Sequence, residues 1–488
     1  MRSLFALLVL TFSAAPVLAQ GQGGGGQGGG GGQGPGGGGN NQPGGIAIDP
    51  SGVVKNLQFR APSTKTAEKQ RAAFAASKLS AEMNQYSSLR CVSLVQLEKK
   101  LAELIEARDE IPPEITYLAG LQRIDYLFVS EEDGDIVIAG PAEGFAPNAA
   151  RRVLGVQTAR PTLLLDDLLV ALRTVPNENQ LGCSIDPVPQ RLQDTQNWIA
   201  RNSYAATAQV VAARYKRMAE ILGLQNVTVW GLPTDSHMAN VFVEADVRMK
   251  RIVMGLEDPR VRKFRSHLAM LKPGANSLRR WWFTPYYDKF EVSEDKSAWH
   301  FAGQRCQLMS QEEYTTASGQ RLDSPHQLQS AEKFAQQFTE KFPELCQNIG
   351  AFAELQNCFD LTLLAAIIKQ HRLADRIDWS MSVLLDAEKL PTSAFTPAKQ
   401  VPSVANVRSH SGRLVLGVIG GGVMITPQRT LRSLQTEQAE SLTKTVVAAR
   451  TARSDNWWWD VAAPQQEQTK ATSKKTRADR TERARPGK

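Results

Sequence analysis

The clearest pattern of hydrophobic and polar positions in the chain lies between Val227 and Glu257. A short apolar run from Val227 to Trp230 predicts a strand, and a Gly-Leu-Pro break follows it. Beyond the break, apolar residues recur every three or four positions, which indicates one face of a helix. They are Met238, Val241, Phe242, Ala245, Met249, Ile252, Val253 and Leu256. An alternating strand pattern also fits part of this stretch, but the helical spacing persists for about six turns.

The same patterns along the rest of the chain predict an α+β body of two or three lobes, built from short hairpins and capped helices. A capping box at Ser93 and Gln96 predicts the start of one helix, and Asp166 is placed to cap another. Predicted hairpins and strand pairs are Ile46 to Val54, Arg123 to Val129 with Asp135 to Ala139, the aromatic run 279–288 with 298–301, and Leu414 to Ile419 with Val423 to Thr426 around Gly420 to Gly422.

Composition sets the boundaries of the body. Residues 1–19 resemble a secretory signal peptide, with Arg2, an apolar run and a small-residue end at Ala19. Seventeen glycines between Gly21 and Gly45 predict a disordered linker. We divide the remainder into an N-terminal α+β lobe (46–158), a central α+β lobe (159–276), a segment of aromatic strands, helices and a final hairpin (277–430), and an extension (431–488) that is largely disordered past 464.

This organisation predicts export to the periplasm or the extracellular space. No apolar run after the signal reaches the roughly 18 residues that would span a bilayer, so we expect no transmembrane segment after cleavage. The net charge of +8 includes +5 from residues 465–488 and +1 from Arg2, which leaves +2 on the body. Such a body argues against a general nucleic-acid surface.

Five cysteines at irregular spacings allow two disulfides in an exported protein. Buried free cysteines are favoured, because a body of this length can build a core without covalent links.

Several phrases resemble an exported, planctomycete-type bacterial family that is known only as a domain of unknown function (DUF1598-like). They begin at Tyr117 (YLAGLQ), Asp135 (DIVIAGPAEG), Leu165 (LDDLLVALR), Glu244 (EADVRMKRI), Trp281 (WWFTP) and Phe352 (FAELQN). The resemblance covers most of Ile46 to Thr426, departs from the family at Gly420 to Gly422, and implies export but no catalytic residue.

Two groups of side chains are weak candidates for catalysis. Asp235, Ser236 and His237 suggest a nucleophile with its base, but adjacent residues seldom converge as a triad; capping of the helix by Asp235 or Ser236 is the favoured interpretation. Glu143, with Asp135, Glu244 and Asp246, could supply paired carboxylates for a hydrolase, against the plainer interpretation as turn and surface charges.

A third group suggests ligand binding. Trp281, Trp282, Tyr286, Tyr287 and Trp299 fall on predicted strands, where aromatic rings form either a stacking face for sugars or a core. The run Trp457 to Trp459 is either a docking segment or a clasp that returns to the body. The six histidines lack metal-ligand spacing, and the glycine run at 420 lacks a phosphate-loop lysine, so no metal and no cofactor is predicted.

We therefore expect an exported, non-enzymatic protein of unknown function that docks on an envelope or extracellular partner. The alternatives are a polysaccharide-binding protein that uses the Trp/Tyr-rich strands and a carboxylate-dependent hydrolase. A pocket that gathers Glu143, Asp235, His237 and Glu244 would favour the last.

Overall fold

The computed structural model describes residues 41–60, 64–148, 150–178, 180–202, 207–271, 278–315, 321–323, 329–403, 405–410, 413–434, 436–438 and 440–461. The predicted signal peptide, most of the glycine-rich linker and the basic tail lie outside these residues. The last five linker residues do not: the first strand begins at Asn41 and pairs with the second, so the folded body starts earlier than predicted.

Strands and helices alternate irregularly along the described chain. The strands are β1 (Asn41–Ile48), β2 (Val54–Arg60), β3 (Ser87–Ser93), β4 (Tyr126–Ser130), β5 (Asp135–Ala142), β6 (Phe145–Pro147), β7 (Val153–Gly155), β8 (Leu181–Pro187), β9 (Leu224–Trp230), β10 (Leu278–Pro285), β11 (Lys289–Val292), β12 (Ala298–Ala302), β13 (Cys306–Thr315), β14 (Arg321–Asp323), β15 (Gln400–Pro402), β16 (Ala405–His410), β17 (Arg413–Ile425), β18 (Thr436–Gln438) and β19 (Trp458–Asp460). The helices are α1 (Thr64–Lys78), α2 (Leu94–Ala107), α3 (Pro113–Thr116), α4 (Leu165–Thr174), α5 (Pro189–Arg201), α6 (Ala208–Leu222), α7 (His237–Val253), α8 (His267–Met270), α9 (Gln329–Glu340), α10 (Phe342–Asn348), α11 (Gly350–Gln370), α12 (Leu373–Arg376), α13 (Pro427–Ser433) and α14 (Glu440–Thr451). The predicted α+β class is confirmed.

Two large sheets organise these elements. One has the strand order β14-β13-β10-β17-β8-β9-β15, with β16 also paired to β17, and the other has the order β18-β11-β12-β4-β5-β3-β19. Each sheet takes strands from distant parts of the chain. The proposed division into consecutive lobes stays a prediction.

One continuous core joins the inner faces of both sheets to the helices α4, α7 and α11. Helix α7 packs against α11 and α4 and also lies on β8 and β17. Helix α11 is long and apolar enough to cross a membrane, although its apolar window is entirely buried in the protein. The segment does not stand out in the sequence, because polar residues such as Asp360 interrupt the apolar run.

Two predicted strand arrangements are wrong. Residues 413–425 form the single strand β17 instead of a hairpin, and the glycines lie within it. A Cβ atom on Gly421 would come within 1.9 Å of the Trp281 carbonyl oxygen, and one on Gly422 within 1.9 Å of the Cys183 carbonyl oxygen. The glycines therefore permit close approach of neighbouring backbones instead of a turn.

The aromatic segment is also divided differently. Strand β10 pairs with β13 and β17 in one sheet, whereas β11 pairs with β12 in the other. Trp281 and Trp299 thus belong to different sheets.

Local predictions were more successful. Asp49 caps the first hairpin by accepting hydrogen bonds from the amides of Ser51 and Val53, each at a distance of 3.0 Å. Ser93 caps α2 through the amide of Gln96, over 2.9 Å. Asp166 does not cap α4; its carboxylate accepts instead from the distant amide of Ser393.

Candidate functional site

The residues Asp235, Ser236 and His237 do not form a nucleophile and base pair. Ser236 caps α7 by accepting from the Ala239 amide over 3.2 Å. Asp235 is exposed, and its backbone carbonyl accepts from the Phe395 amide. His237 instead pairs with Asp167 on α4, Nδ1 to Oδ2 over 2.9 Å. The local sequence thus supplies a cap, while the histidine joins two helices.

The Asp167 carboxylate changes the protonation of His237. Burial alone would lower the pKa of the imidazole, but the charge and hydrogen bond of Asp167 outweigh it and raise the pKa to about 9. A histidine that remains protonated at neutral pH is a poor general base. This arrangement supports a structural role for His237.

Glu244 belongs to a buried ion-pair chain. Arg152 lies between two carboxylates, with Nη2 2.9 Å from Glu244 and Nε 2.8 Å from Glu354. Arg248 continues the chain, 3.5 Å from Glu244 and 2.7 Å from Glu257. Glu244 and Arg248 thus pair along α7, and both are buried, whereas the plainer interpretation of the sequence placed Glu244 at the surface.

Glu143 lies in a separate network, fully buried. Its carboxylate accepts from the Gln122 side chain over 2.5 Å, and from the amides of Gln157 and Thr158 over 2.8 and 3.0 Å. These bonds hold the loop after β7 against the loop before β4. No described cavity brings Glu143 together with Asp235, His237 and Glu244.

The five candidate aromatic residues do not form an exposed row. Trp281, Tyr287 and Trp299 are at most 4% exposed. Trp282 is half-buried beneath the guanidinium of Arg280, 4.8 Å from its ring centre. Only Tyr286 among them is well exposed, at 41%. Three of the five are therefore core aromatics.

A different group of side chains lines a cavity of about 250 Å³, which we call the arginine cavity. Its polar walls come from Arg123, Asp125, Arg160, His300, Arg305 and Gln356. Phe301, Phe342 and Pro343 supply apolar surface. The cavity lies where the last residues of β12 and the first residues of α10 meet the segment before β4.

Arg305 is the fixed centre of this site. Its Nη2 lies 2.6 Å from Asp125 Oδ1, and its Nη1 lies 2.5 Å from Asp360 Oδ2. The same two nitrogens donate to the backbone carbonyl oxygens of Phe301 and Ile124, each at a distance of 2.6 Å. Burial alone would lower the pKa of the guanidinium, but Asp360 and Asp125 raise it above its usual value. Arg305 is therefore a permanent cation whose two terminal nitrogens are both fully bonded.

The carboxylates around Arg305 are fully used. Tyr287 donates to Asp360 over 2.9 Å. Arg123 binds Asp125 through Nε and Nη2, over 2.7 and 3.0 Å. Burial would raise the pKa of Asp125, but the bonds from Arg123 and the charge of Arg305 hold it below its usual value. Asp125 stays ionised, shared between two arginines.

Arg160 has no carboxylate of its own among the described residues. Its side-chain contact is the oxygen of Gln356, 3.5 Å from Nη2, and its buried Nε has no hydrogen-bond partner. Burial lowers the pKa of Arg160, and the like charges of Arg123 and Arg305 lower it further. Cys346 cannot neutralise it, since burial raises the pKa of that thiol to about 12.

The arginine cavity therefore carries one positive charge without a matching negative one, which suits an anionic group. Among the residues that the structure describes, no group of three or more His, Cys, Asp or Glu side chains is placed to hold a metal ion.

All five cysteines are buried and free, as expected.

Sequence reasoning missed this site because its members come from segments far apart in the chain. One signal was available: Asp360 stands in the apolar run of α11, and a charged residue at a buried position indicates a partner. Tyr287 was singled out, but its hydroxyl bonds the buried Asp360 instead of facing a ligand.

Fold and site together define an α+β protein with an arginine-lined cavity beside its core. Residues 183–267 match the model of a family described as protein of unknown function (DUF1598). The predicted resemblance to that family is confirmed over this stretch, which runs from β8 into α8 and includes α7. Searches of curated proteins and of solved structures gave no match.

Proposed function

We propose that this is an exported, non-enzymatic binding protein that docks on an envelope or extracellular partner through an anionic group held in the arginine cavity. The observation that carries the proposal is Arg160, a half-buried cation that lines the cavity and has no carboxylate partner among the described residues. An unpaired guanidinium in such a place is costly unless an anion completes it.

The side chains considered for catalysis support binding over turnover. His237 is held protonated by Asp167, and Ser236 caps a helix. Glu143 and Glu244 are bonded within separate networks. A hydrolase needs two carboxylates facing one substrate, and these two do not share a cavity.

The proposal predicts saturable binding of at least one small anion. Acetate, sulfate and phosphate, added separately, are tested by thermal unfolding of the chain from Gln20 onward. A ligand at a hundred times its Kd stabilises the folded state by about 2.7 kcal/mol. The stabilisation should be lost in Arg160→Gln and kept in Arg201→Gln, which removes an exposed arginine at the end of α5. Equal responses of all three proteins would refute the proposal.

Export is the other half of the proposal, and it rests on the pattern of residues 1–19. Mass spectrometry of the secreted chain should give an N-terminus near Gln20. Exported protein that retains Met1 would show that this segment is not a cleaved signal.

A further inference from the structure

We infer that the group bound in the arginine cavity is a single carboxylate on a small, neutral, hydroxylated body such as a uronic-acid sugar. This inference rests on the proposed anion-binding function and names its ligand class.

Charge balance favours a single negative charge. Arg123, Arg160 and Arg305 contribute three positive charges, and Asp125 and Asp360 remove two of them. His300, the other titratable side chain at the wall, bonds outward to Glu291, which does not line the cavity; Nδ1 lies 2.5 Å from Oε2. A monoanion therefore neutralises the site, whereas a phosphate monoester carries about −1.5 to −2 at pH 7 and would leave an excess negative charge.

The available donors favour a planar anion. In the described part of the chain, Nη1 of Arg160 and Nη1 of Arg123 have no hydrogen bond. Arg123 uses its other two nitrogens on Asp125, and the side-chain bond of Arg160 is from Nη2 to Gln356. Guanidinium groups match the flat, two-oxygen face of a carboxylate, and two such groups can each serve one oxygen. Arg305 donates from Nη2 to the shared Asp125 and holds it in place.

The rest of the wall suits hydroxyl groups on a small body. The Gln356 amide nitrogen and the Gln304 side-chain oxygen have no bond among the described residues, although both residues line the cavity. Phe342 and Pro343 offer an apolar side against which the carbons of a ring can lie. A volume of about 250 Å³ equals the share of liquid volume of roughly eight water molecules, which is room for one sugar-sized group.

Isothermal titration calorimetry of the chain from Gln20 onward tests this inference with three probes of similar size: D-glucuronate, D-glucose 6-phosphate and D-glucose. We expect glucuronate to bind at least tenfold more tightly than glucose 6-phosphate, and glucose to give no measurable heat. Arg160→Gln should weaken glucuronate binding at least tenfold, Arg160→Lys should weaken it less, and the matched control Arg201→Gln should leave it unchanged.

The outcomes separate the two proposals. Glucose 6-phosphate that binds as tightly as glucuronate, with the same dependence on Arg160, overturns the carboxylate inference and leaves the anion-binding function standing. No binding of either anion overturns both. If Arg160→Gln does not fold by circular dichroism, Arg160→Lys decides the role of the guanidinium, and unchanged affinity there counts against it.

Discussion

The last described strand, β19, connects the C-terminal segment to a fully buried arginine, and this contact gives a sharp stability prediction. Asp460 accepts two hydrogen bonds from Arg90, Nε to Oδ1 over 2.8 Å and Nη2 to Oδ2 over 3.0 Å. Arg90 is 0% exposed and also donates to the Ala119 carbonyl oxygen over 2.9 Å. Replacing Asp460 by Ala removes the one carboxylate that the described structure offers this guanidinium.

The magnitude follows from the exposure of the two partners. Removing one partner of a fully buried pair costs about 3 to 5 kcal/mol, and a hydrogen bond to a charged group contributes about 1.5 to 3 kcal/mol. The Asp460 side chain is 35% exposed, so water can reach part of the vacated space. We expect Asp460→Ala to cost about 2 to 3 kcal/mol, and Asp460→Asn about 1 to 2 kcal/mol because one acceptor remains.

This loss should appear as local opening of the segment 457–461, which we call the C-terminal clasp. The clasp pairs with β3 through the three-residue strand β19. Two backbone hydrogen bonds flank this pairing: the Ser93 amide donates to the Trp457 carbonyl oxygen, and the Val461 amide donates to the Leu89 carbonyl oxygen, each at a distance of 2.9 Å. Segments with few contacts open before the rest of a protein. Hydrogen exchange followed by mass spectrometry should therefore show clasp amides exchanging roughly 30- to 150-fold faster in Asp460→Ala.

A control keeps this test specific. Asp455, exposed and five residues earlier in the chain, is replaced by Ala in the matched variant, which should leave exchange in the clasp unchanged. If Asp460→Ala also changes clasp exchange by less than threefold, the ion pair does not hold the clasp. Acceleration of equal size in both variants would mean that the loss of any acidic residue weakens the segment.

Three further predictions concern the core. Phe242→Ala should cost about 3 to 5 kcal/mol of unfolding free energy in urea titrations, because Phe242 is fully buried on α7 and leaves a cavity; a cost below 1 kcal/mol would contradict this. Since Asp167 raises the pKa of His237 above its unfolded value to about 9, this pair should stabilise the fold fully below pH 6.5 and progressively less up to pH 9. Wild type should lose stability over that range relative to His237→Gln, and parallel pH profiles would refute the assignment. Gly421→Ala should cost at least about 2 kcal/mol in the same titrations, because its Cβ meets the Trp281 carbonyl oxygen and its φ is +135°; unchanged stability would show that β17 shifts freely.

The sequence predicted elements whose information is local. Ser236 and the three-to-four spacing after it predicted α7, which runs from His237 to Val253, because a cap and one apolar face depend only on neighbouring residues. The cap at Ser93 was predicted for the same reason. Half of its predicted capping box is absent, since the Ser93 amide bonds Trp457 from the other end of the chain.

Non-local pairing explains the errors. The glycines of β17 resemble a turn when considered alone, and their role depends on β10 and β8, more than 100 residues earlier in the chain. The clasp was one of two alternatives for Trp457 to Trp459, and the choice required the position of the β3 edge. Such pairings depend on which segments meet, and a single sequence does not contain that information.

The charged residues of α7 show the same limit at the level of energetics. The plainer interpretation of Glu244 was a surface charge, yet the side chains of Asp246 and Lys250 on the same helix are 0% and 3% exposed, and they pair at a distance of 2.7 Å. Burying such charges costs several kcal/mol per ion unless each is paired. The partners of Glu244 and Arg248 include Arg152, outside the family-matched residues 183–267, and Glu257, inside them. The matched stretch therefore completes most ion pairs of its central helix by itself and shares Glu244 with a residue outside it.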